Sequence, residues 1–288
     1  MARYEISTPL LDTHNILGEG PVWHPAEQRL YWLDIDGCLL QTYTPETGSY
    51  QKFDLGQRCG AFAFRKTGGL LVAAERGLAY WDERSGLSEY LVRFYEDDAP
   101  QLMNDGKADP TGRFWIGSKG PVGQSSLFRV EPDFSWETVI PGATISNGLD
   151  WSLDQKCMYY IDSYTQSILK YRYNPASGMI SDPEQVFRSD AGKPDGMTLD
   201  SEGNLWVAFW DGAKVLHLDP IGRRLDEISM PVSRPTSVCL GGADYRDLYI
   251  SSASVGLDAG QLEAQPYAGA LFSFRVDVPG RPCNFFGG

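Results

Sequence analysis

A β-propeller of six four-stranded antiparallel blades is the fold class this sequence predicts, on three observations. Six times a turn leads into a short aromatic or β-branched strand, and the turn-exit apolar residues fall at 30, 70, 114, 158, 205 and 248. The steps are 40, 44, 44, 47 and 43, and a period in the low forties built from β-type strands is that of one blade per repeat. No long amphipathic helix and no low-complexity linker breaks the pattern, so residues 1–288 are expected to form one propeller domain.

The repeats justify themselves in order. The first runs from Glu19-Gly20 through the turn His24-Pro25-Ala26-Glu27-Gln28 into Arg29-Leu30-Tyr31-Trp32. The second opens on Cys59-Gly60 and turns at Arg65-Lys66-Thr67-Gly68 into Gly69-Leu70-Leu71-Val72. The third has Asn104-Asp105-Gly106, the turn Asp109-Pro110-Thr111-Gly112 and Arg113-Phe114-Trp115-Ile116. The fourth has Asn147-Gly148, Ser152-Leu153-Asp154-Gln155 and Cys157-Met158-Tyr159-Tyr160. The fifth has Asp195-Gly196, Asp200-Ser201-Glu202-Gly203 and Asn204-Leu205-Trp206-Val207. The sixth has Thr236-Ser237, Gly241-Gly242-Ala243-Asp244-Tyr245 and Asp247-Leu248-Tyr249-Ile250. Gly, Pro and Asp supply the turn dihedrals or bond back to the backbone. The β-branched and aromatic strands suit packing between blades. Closure of the ring is expected from Tyr4-Glu5-Ile6-Ser7, as an outer strand beside Ala270–Phe274 of the last blade.

Composition narrows the class of function. A net charge of −13, with only two isolated basic pairs at Arg65-Lys66 and Arg223-Arg224, argues against a nucleic-acid or anionic-membrane surface. Five scattered cysteines, with no Cys-x-x-Cys, fit a reduced compartment rather than a disulfide framework or zinc site. The N-terminal segment lacks an apolar signal core and no apolar run approaches a membrane span. A cytoplasmic location is expected. No Gly-x-Ser-x-Gly elbow, His-Glu-x-x-His or Walker-type loop occurs, and His14, His24 and His217 offer no metal spacing.

The first strand of each repeat should lie innermost, with its opening residue facing the channel mouth and a small second residue admitting neighbouring backbones. That ring holds Glu19, Asn147 and Asp195, with Asn104 or Asp105 beside them. Hard divalent cations take carboxylate and amide oxygens, and two carboxylates offset the charge of a dication. Each residue alone could simply fill a wet channel or serve a turn; at matching positions of distant repeats they read as a metal centre. Cys59, on the same ring, reads as a buried inert thiol. Trp210 and Tyr164 fit either a cavity wall or blade packing.

The chain resembles the regucalcin/gluconolactonase family, which includes senescence-marker-protein and luciferin-regenerating-enzyme relatives. The matching segments are Leu17–Trp23, Asn104–Trp115, Ser146–Leu149 and Lys193–Met197, followed by Pro235-Thr236-Ser237 and Gly241-Gly242. The resemblance implies a six-bladed propeller with one catalytic divalent metal, calcium, zinc, manganese or iron(II), held by residues matching Glu19, Asn147 and Asp195. It implies a substrate contact at Asn104 and hydrolysis of a sugar lactone. Two departures stand out: Leu102 occupies the place of a substrate-contacting Arg, and Ser118–Gln124 carries Lys119 but no acid.

The expected function is therefore metal-dependent hydrolysis of a pentono- or gluconolactone to its aldonic acid. Asp195 is the candidate ligand and general base, and Asn104 and Lys119 the candidate substrate contacts. As an isolated loop residue, Lys119 could equally be merely solvated. The expected partner is a small sugar lactone. The alternatives are a calcium-binding propeller without catalysis and a metal-assisted phosphotriester hydrolase.

Overall fold

Why alternating strands give a propeller is plainest in blade two of the computed structural model, which describes residues 1–288. In β6 (Cys59–Phe64) and β7 (Leu70–Ala74), Phe62, Phe64, Leu70 and Val72 face blade one, while Ala61, Ala63, Leu71 and Ala73 face blade three. Successive side chains leave opposite faces of a strand, so a strand apolar at every position is buried on both sides. The same logic gives six apolar clusters, one in each gap between neighbouring blades.

The blades are antiparallel four-stranded meanders in chain order. Blade one comprises β2 (Gly18–His24), β3 (Arg29–Asp34), β4 (Leu39–Thr44) and β5 (Ser49–Asp54). Blade two adds β8 (Gly77–Asp82) and β9 (Gly86–Arg93) to β6 and β7. Blade three comprises β10 (Leu102–Ala108), β11 (Phe114–Lys119), β12 (Ser125–Val130) and β13 (Trp136–Ala143). Blade four comprises β14 (Ser146–Trp151), β15 (Cys157–Asp162), β16 (Ser167–Asn174) and β17 (Met179–Arg188). Blade five comprises β18 (Lys193–Leu199), β19 (Leu205–Trp210), β20 (Lys214–Leu218) and β21 (Arg224–Ser229). Blade six comprises β22 (Pro235–Gly241), β23 (Asp247–Ser252) and β24 (Phe272–Arg275). A short helix, α1 (Ala259–Ala264), lies between β23 and β24 and is closed at its start by an Asp258–Gln261 capping box.

Ring closure departs from the sequence expectation. The strand β1 (Ala2–Glu5) pairs parallel with β21, as a fifth strand of blade five. Blade six is completed instead by residues 10–15: the amides of Leu10 and Leu11 donate to Leu271 O, and the Asn15 amide to Gly269 O. The reason is polarity. All four residues of β1 are exposed, which suits a solvated edge, whereas Leu10 and Leu11 pack on the cluster between blades six and one. Of the expected neighbours, the rings of Tyr4 and Phe274 meet, 5.1 Å apart, and Ile6 joins the apolar cluster that holds Ala270 and Phe272.

The C-terminal tail plugs one end of the channel. Pro279 O accepts from Ser201 N at 2.8 Å, Arg281 donates to Asp150 and Trp151 O, and Cys283 Sγ donates to Trp23 O. Asn284 then donates to Ala108 O, and the Phe286 amide to Phe64 O. Beneath this plug Lys107 Nζ sits 3.0 Å from both Asp150 Oδ2 and Met197 O. Burial pushes the Asp150 carboxyl up, but Lys107 and Arg281 outweigh it and hold it below its ordinary value. The opposite end of the channel stays open. No helix is long and apolar enough to cross a membrane.

Candidate active site at the open end of the channel

In all six innermost strands the register against the second strand breaks at the ring position: after Glu19, Cys59, Met103, Ser146, Pro194 and Pro235. A bulge turns the strand locally and re-aims a side chain; here it recurs where side chains meet the channel. The small residue that follows lets adjacent strands close on one another. A Cβ added to Gly148 would lie 2.4 Å from Asp195 O, and one on Gly196 2.0 Å from Ser237 Oγ.

These bulges bring Glu19, Asn104, Asn147 and Asp195 to one cavity of about 250 Å³, each no more than 7% exposed. Lys119 joins them on its wall. Asp105 does not: it lines the separate space on the plugged side of the ring. The sequence held the signal for this choice. Counted back from the turn-exit residue, Asn104 stands at ten and Asp105 at nine, while the other five ring residues stand at ten to twelve. Cys59 is buried and its thiol is pushed far up by that burial, as suits an inert group. Tyr164 is 56% exposed and stands outside the cavity, whereas Trp210 lines it.

Electrostatics mark the two carboxylates as short of a partner. Burial, then the charge of Asp105, pushes Glu19 up to about 8, against a backbone hydrogen bond from Gly20. Asp195 is raised well above the carboxylate range by burial, then by Glu19 and Asp105, with Lys119 opposing. Its Oδ1 is fully buried without a hydrogen-bond partner, and such an atom is costly unless something occupies its lone pairs. Asp105 is pushed up to about 6, chiefly by burial.

The two amides are oriented by a relay. Ser163 Oγ donates to Pro194 O at 2.6 Å, so it must accept from Asn147 Nδ2, at 2.8 Å. That fixes Asn147 Oδ1 on the other side, where Asn104 Nδ2 donates to it at 2.9 Å. Asn104 spends its second hydrogen on Ser146 O at 3.0 Å, leaving its own Oδ1 as the free atom. The loop ends before Asn147 and Glu19 are tied down alike: Asp162 accepts from the amides of Thr144 and Ile145, and Asp34 from those of Ile16 and Leu17.

The donor set fits a hard divalent cation: two buried carboxylates, one with an orphaned oxygen, and an amide held oxygen-inward. No group of three or more His, Cys, Asp or Glu side chains is placed to hold a metal ion by itself. A cation here would take two carboxylates and one amide, leaving positions for other ligands.

Sequence reasoning named Lys119 and Trp210 on this wall and overlooked Leu17, Ile145, Ser163 and Lys193. Lys119, Ser163 and Trp210 each stand five residues past a turn-exit residue, and Leu17, Ile145 and Lys193 each two residues before a ring residue. The same repeat arithmetic that located the ring would have found both layers. Leu102 is the cross-strand partner of Lys119, so a cation stands directly across from the position where the resembled family carries its Arg. Gln124 stays outside; its carbonyl accepts from Gln101 Nε2. His24 and His217 are structural, His24 accepting from the Glu27 amide and His217 bridging Asp200 and Asp226 at 3.0 Å each.

A family model described as "SMP-30/Gluconolactonase/LRE-like region" matches residues 17–254. The chain is 36% identical over 283 residues to a Bacillus subtilis protein that carries the name sugar lactone lactonase YvrE, covering 96% of this chain and 97% of that one. It is 37% identical over 279 residues to regucalcin of Danio rerio, covering 93% and 94%. A solved luciferin-regenerating enzyme aligns with a TM-score of 0.89 at 28% identity, covering 96% of this chain and 97% of that one.

Proposed function

The chain belongs to the SMP-30/gluconolactonase/LRE-like family, and on that premise we propose that it is a carboxylic ester hydrolase, a metal-dependent lactonase. It opens a pentono- or gluconolactone to the aldonic acid. The observation that carries this reading is the convergence of Glu19, Asn147 and Asp195 on one cavity with an Asp195 oxygen left without a partner. Those three residues would hold one divalent ion, Ca²⁺, Zn²⁺, Mn²⁺ or Fe²⁺. When bound, the ion supplies a Lewis acid for the lactone carbonyl and offsets the buried carboxylate charge.

The chain's own residues account for the rest. Asp195 takes a proton from the attacking water as that water's oxygen bonds to the carbonyl carbon. The bond from that carbon to the ring oxygen then breaks, and the ring oxygen leaves as a hydroxyl carrying the returned proton. Asn104, with both amide hydrogens committed, offers Oδ1 to a substrate hydroxyl and orients the ring. Lys119 stands on the wall as a second substrate contact. The plugged channel leaves one way in and out. Five free cysteines accord with a cytoplasmic setting.

Proton release from xylono-, arabinono- and gluconolactone, with and without chelator, tests the reading. Turnover is expected, lost with chelator and regained with a divalent ion. Asp195→Ala is expected to abolish both ion binding and turnover. Asn104→Ala should lower turnover more than ion affinity. Tight ion binding with no lactone turned over would overturn the enzymatic reading, and full activity in Asp195→Ala would overturn the site assignment.

A further inference from the structure

Blades three and six stand opposite each other in the ring of six and give the cavity unlike chemistry. Blade three contributes Asn104 and Lys119 and nothing apolar, while blade six contributes Val255 alone. Blade six also offers no oxygen at its ring position, where the buried Thr236 pairs its hydroxyl with Gly18 O and Ser251 Oγ. On either side of Val255 stand Trp210, which ends β19 of blade five, and Leu17, which leads into β2 of blade one. Trp210 and Val255 pack against the apolar cluster that includes Leu17, so one carbon surface spans three successive blades of the cavity wall.

Arg234 braces this surface from behind. It does not line the cavity, yet its guanidinium lies over the Trp210 ring, 4.8 Å from the centre, donates to Val255 O and pairs with Asp211 at 2.7 Å. One side chain outside the site thus holds two residues of its wall. The Val255 amide is held as well, donating at 2.8 Å to the carbonyl of Ile16, the residue before Leu17. A fixed ring with a cation on its outer side keeps its orientation toward the cavity.

A wall polar on one side and carbon on the other suits a ring with two unlike surfaces. A sugar lactone is such a ring: its hydroxyls project from the edge, and its ring carbons present C–H groups above and below. An aromatic face carries partial negative charge and attracts those weakly positive hydrogens. We infer that Trp210, with Val255 and Leu17, is the platform for the carbon face of the lactone ring, and that Arg234 is the positioning residue that holds the platform in place. The inference rests on the lactonase reading above and deepens it. The substrate turns carbon toward blade six and hydroxyls toward Asn104 and Lys119.

The test uses ion-loaded wild type, Trp210→Ala, Trp210→Phe, Arg234→Met and Arg234→Lys, each with its ion content and Tm measured. The first readout is kcat and KM for glucono-1,5-lactone and for δ-valerolactone, which keeps the ring and lacks every hydroxyl. Trp210→Ala is expected to raise KM about tenfold for both substrates alike, since the contact is with ring carbon, with a smaller change in kcat and full ion content. Arg234→Met should raise KM roughly three- to tenfold by the same route, and Arg234→Lys, which keeps the charge, should recover part of the loss. The second readout is tryptophan emission during titration with the hydrolysis-resistant lactam of gluconic acid. Trp210 alone of the eight tryptophans lines this cavity, so the wild-type response should vanish in Trp210→Phe while calorimetry still records binding. An unchanged KM in Trp210→Ala, a loss confined to the hydroxylated substrate, or a response that persists in Trp210→Phe would overturn the platform and leave the lactonase standing. A fall in kcat and ion content with KM unmoved in Arg234→Met would overturn its positioning role. No turnover of any lactone by the wild type would overturn the lactonase reading, and the lactam titration then decides the platform by itself.

Discussion

Removing one buried carboxylate should stabilise the ion-free protein at alkaline pH, and Glu19→Gln is the substitution that shows it. In the ion-free chain the Glu19 carboxyl stands at about 8 against an ordinary 4.5, because burial and Asp105 both disfavour its charge. Between those two values the folded chain binds more protons than the unfolded one, so stability is lost as pH rises through the window. At about 1.4 kcal/mol for each tenfold, the displacement amounts to on the order of 5 kcal/mol once ionisation is complete. Roughly 4 kcal/mol of that is felt at pH 8, and under about 1 kcal/mol at pH 5. Glutamine has nearly the same shape and no charge. The difference in Tm between variant and wild type should therefore grow by roughly 5–10 °C from pH 5 to pH 8 in a chain of this size. The assay is thermal unfolding by circular dichroism in chelator at both pH values. Taking the difference between the proteins cancels the titrations they share; that of Asp195 changes too, and losing the Glu19 charge beside it favours the variant in the same direction. Saturating divalent ion should reverse the order, because it binds the wild-type folded state and stabilises it by mass action. A difference that is flat between the two pH values would refute the reasoning, as would a wild type that gains on the variant in chelator.

Ser163→Ala frees the Asn147 amide from its relay; ion affinity by calorimetry is expected to weaken about 10–100-fold, as for other lost outer-shell partners, with Tm little changed, and unchanged affinity would show that the relay does not orient the ligand. Leu11→Pro removes the amide that donates to Leu271 O at the seam and should lower Tm sharply, whereas deleting residues 2–5, all exposed, should lower it by only a few degrees; the reverse ranking would place closure at β1.

Much of this protein was legible in its sequence, and particular residues show why. The spacing of Leu30, Leu70, Phe114, Met158, Leu205 and Leu248 is one-dimensional information, and it maps onto strand order without knowledge of distances. Glu19, Asn147 and Asp195 could be singled out because a repeat places equivalent residues in equivalent positions around an axis. Other features were not legible. Nothing in Pro279–Phe286 marks it as a plug, since its partners lie on all six blades and, apart from the Arg281–Asp150 pair, its bonds go to backbone groups that any sequence carries. Ser163 reads as an ordinary strand-end serine until Asn147 is seen beside it.

By itself, then, the sequence determined the number of blades, the strands within them and the ring of oxygen-bearing side chains, because each follows from local periodicity and turn chemistry. Only the tertiary structure decided which N-terminal residues close the ring, which end of the channel is shut, and that Lys119 and Lys193 stand unpaired. Those outcomes depend on competition among edge strands for an apolar surface and on which groups find partners across distant blades. Both are set by through-space packing between residues far apart in the chain.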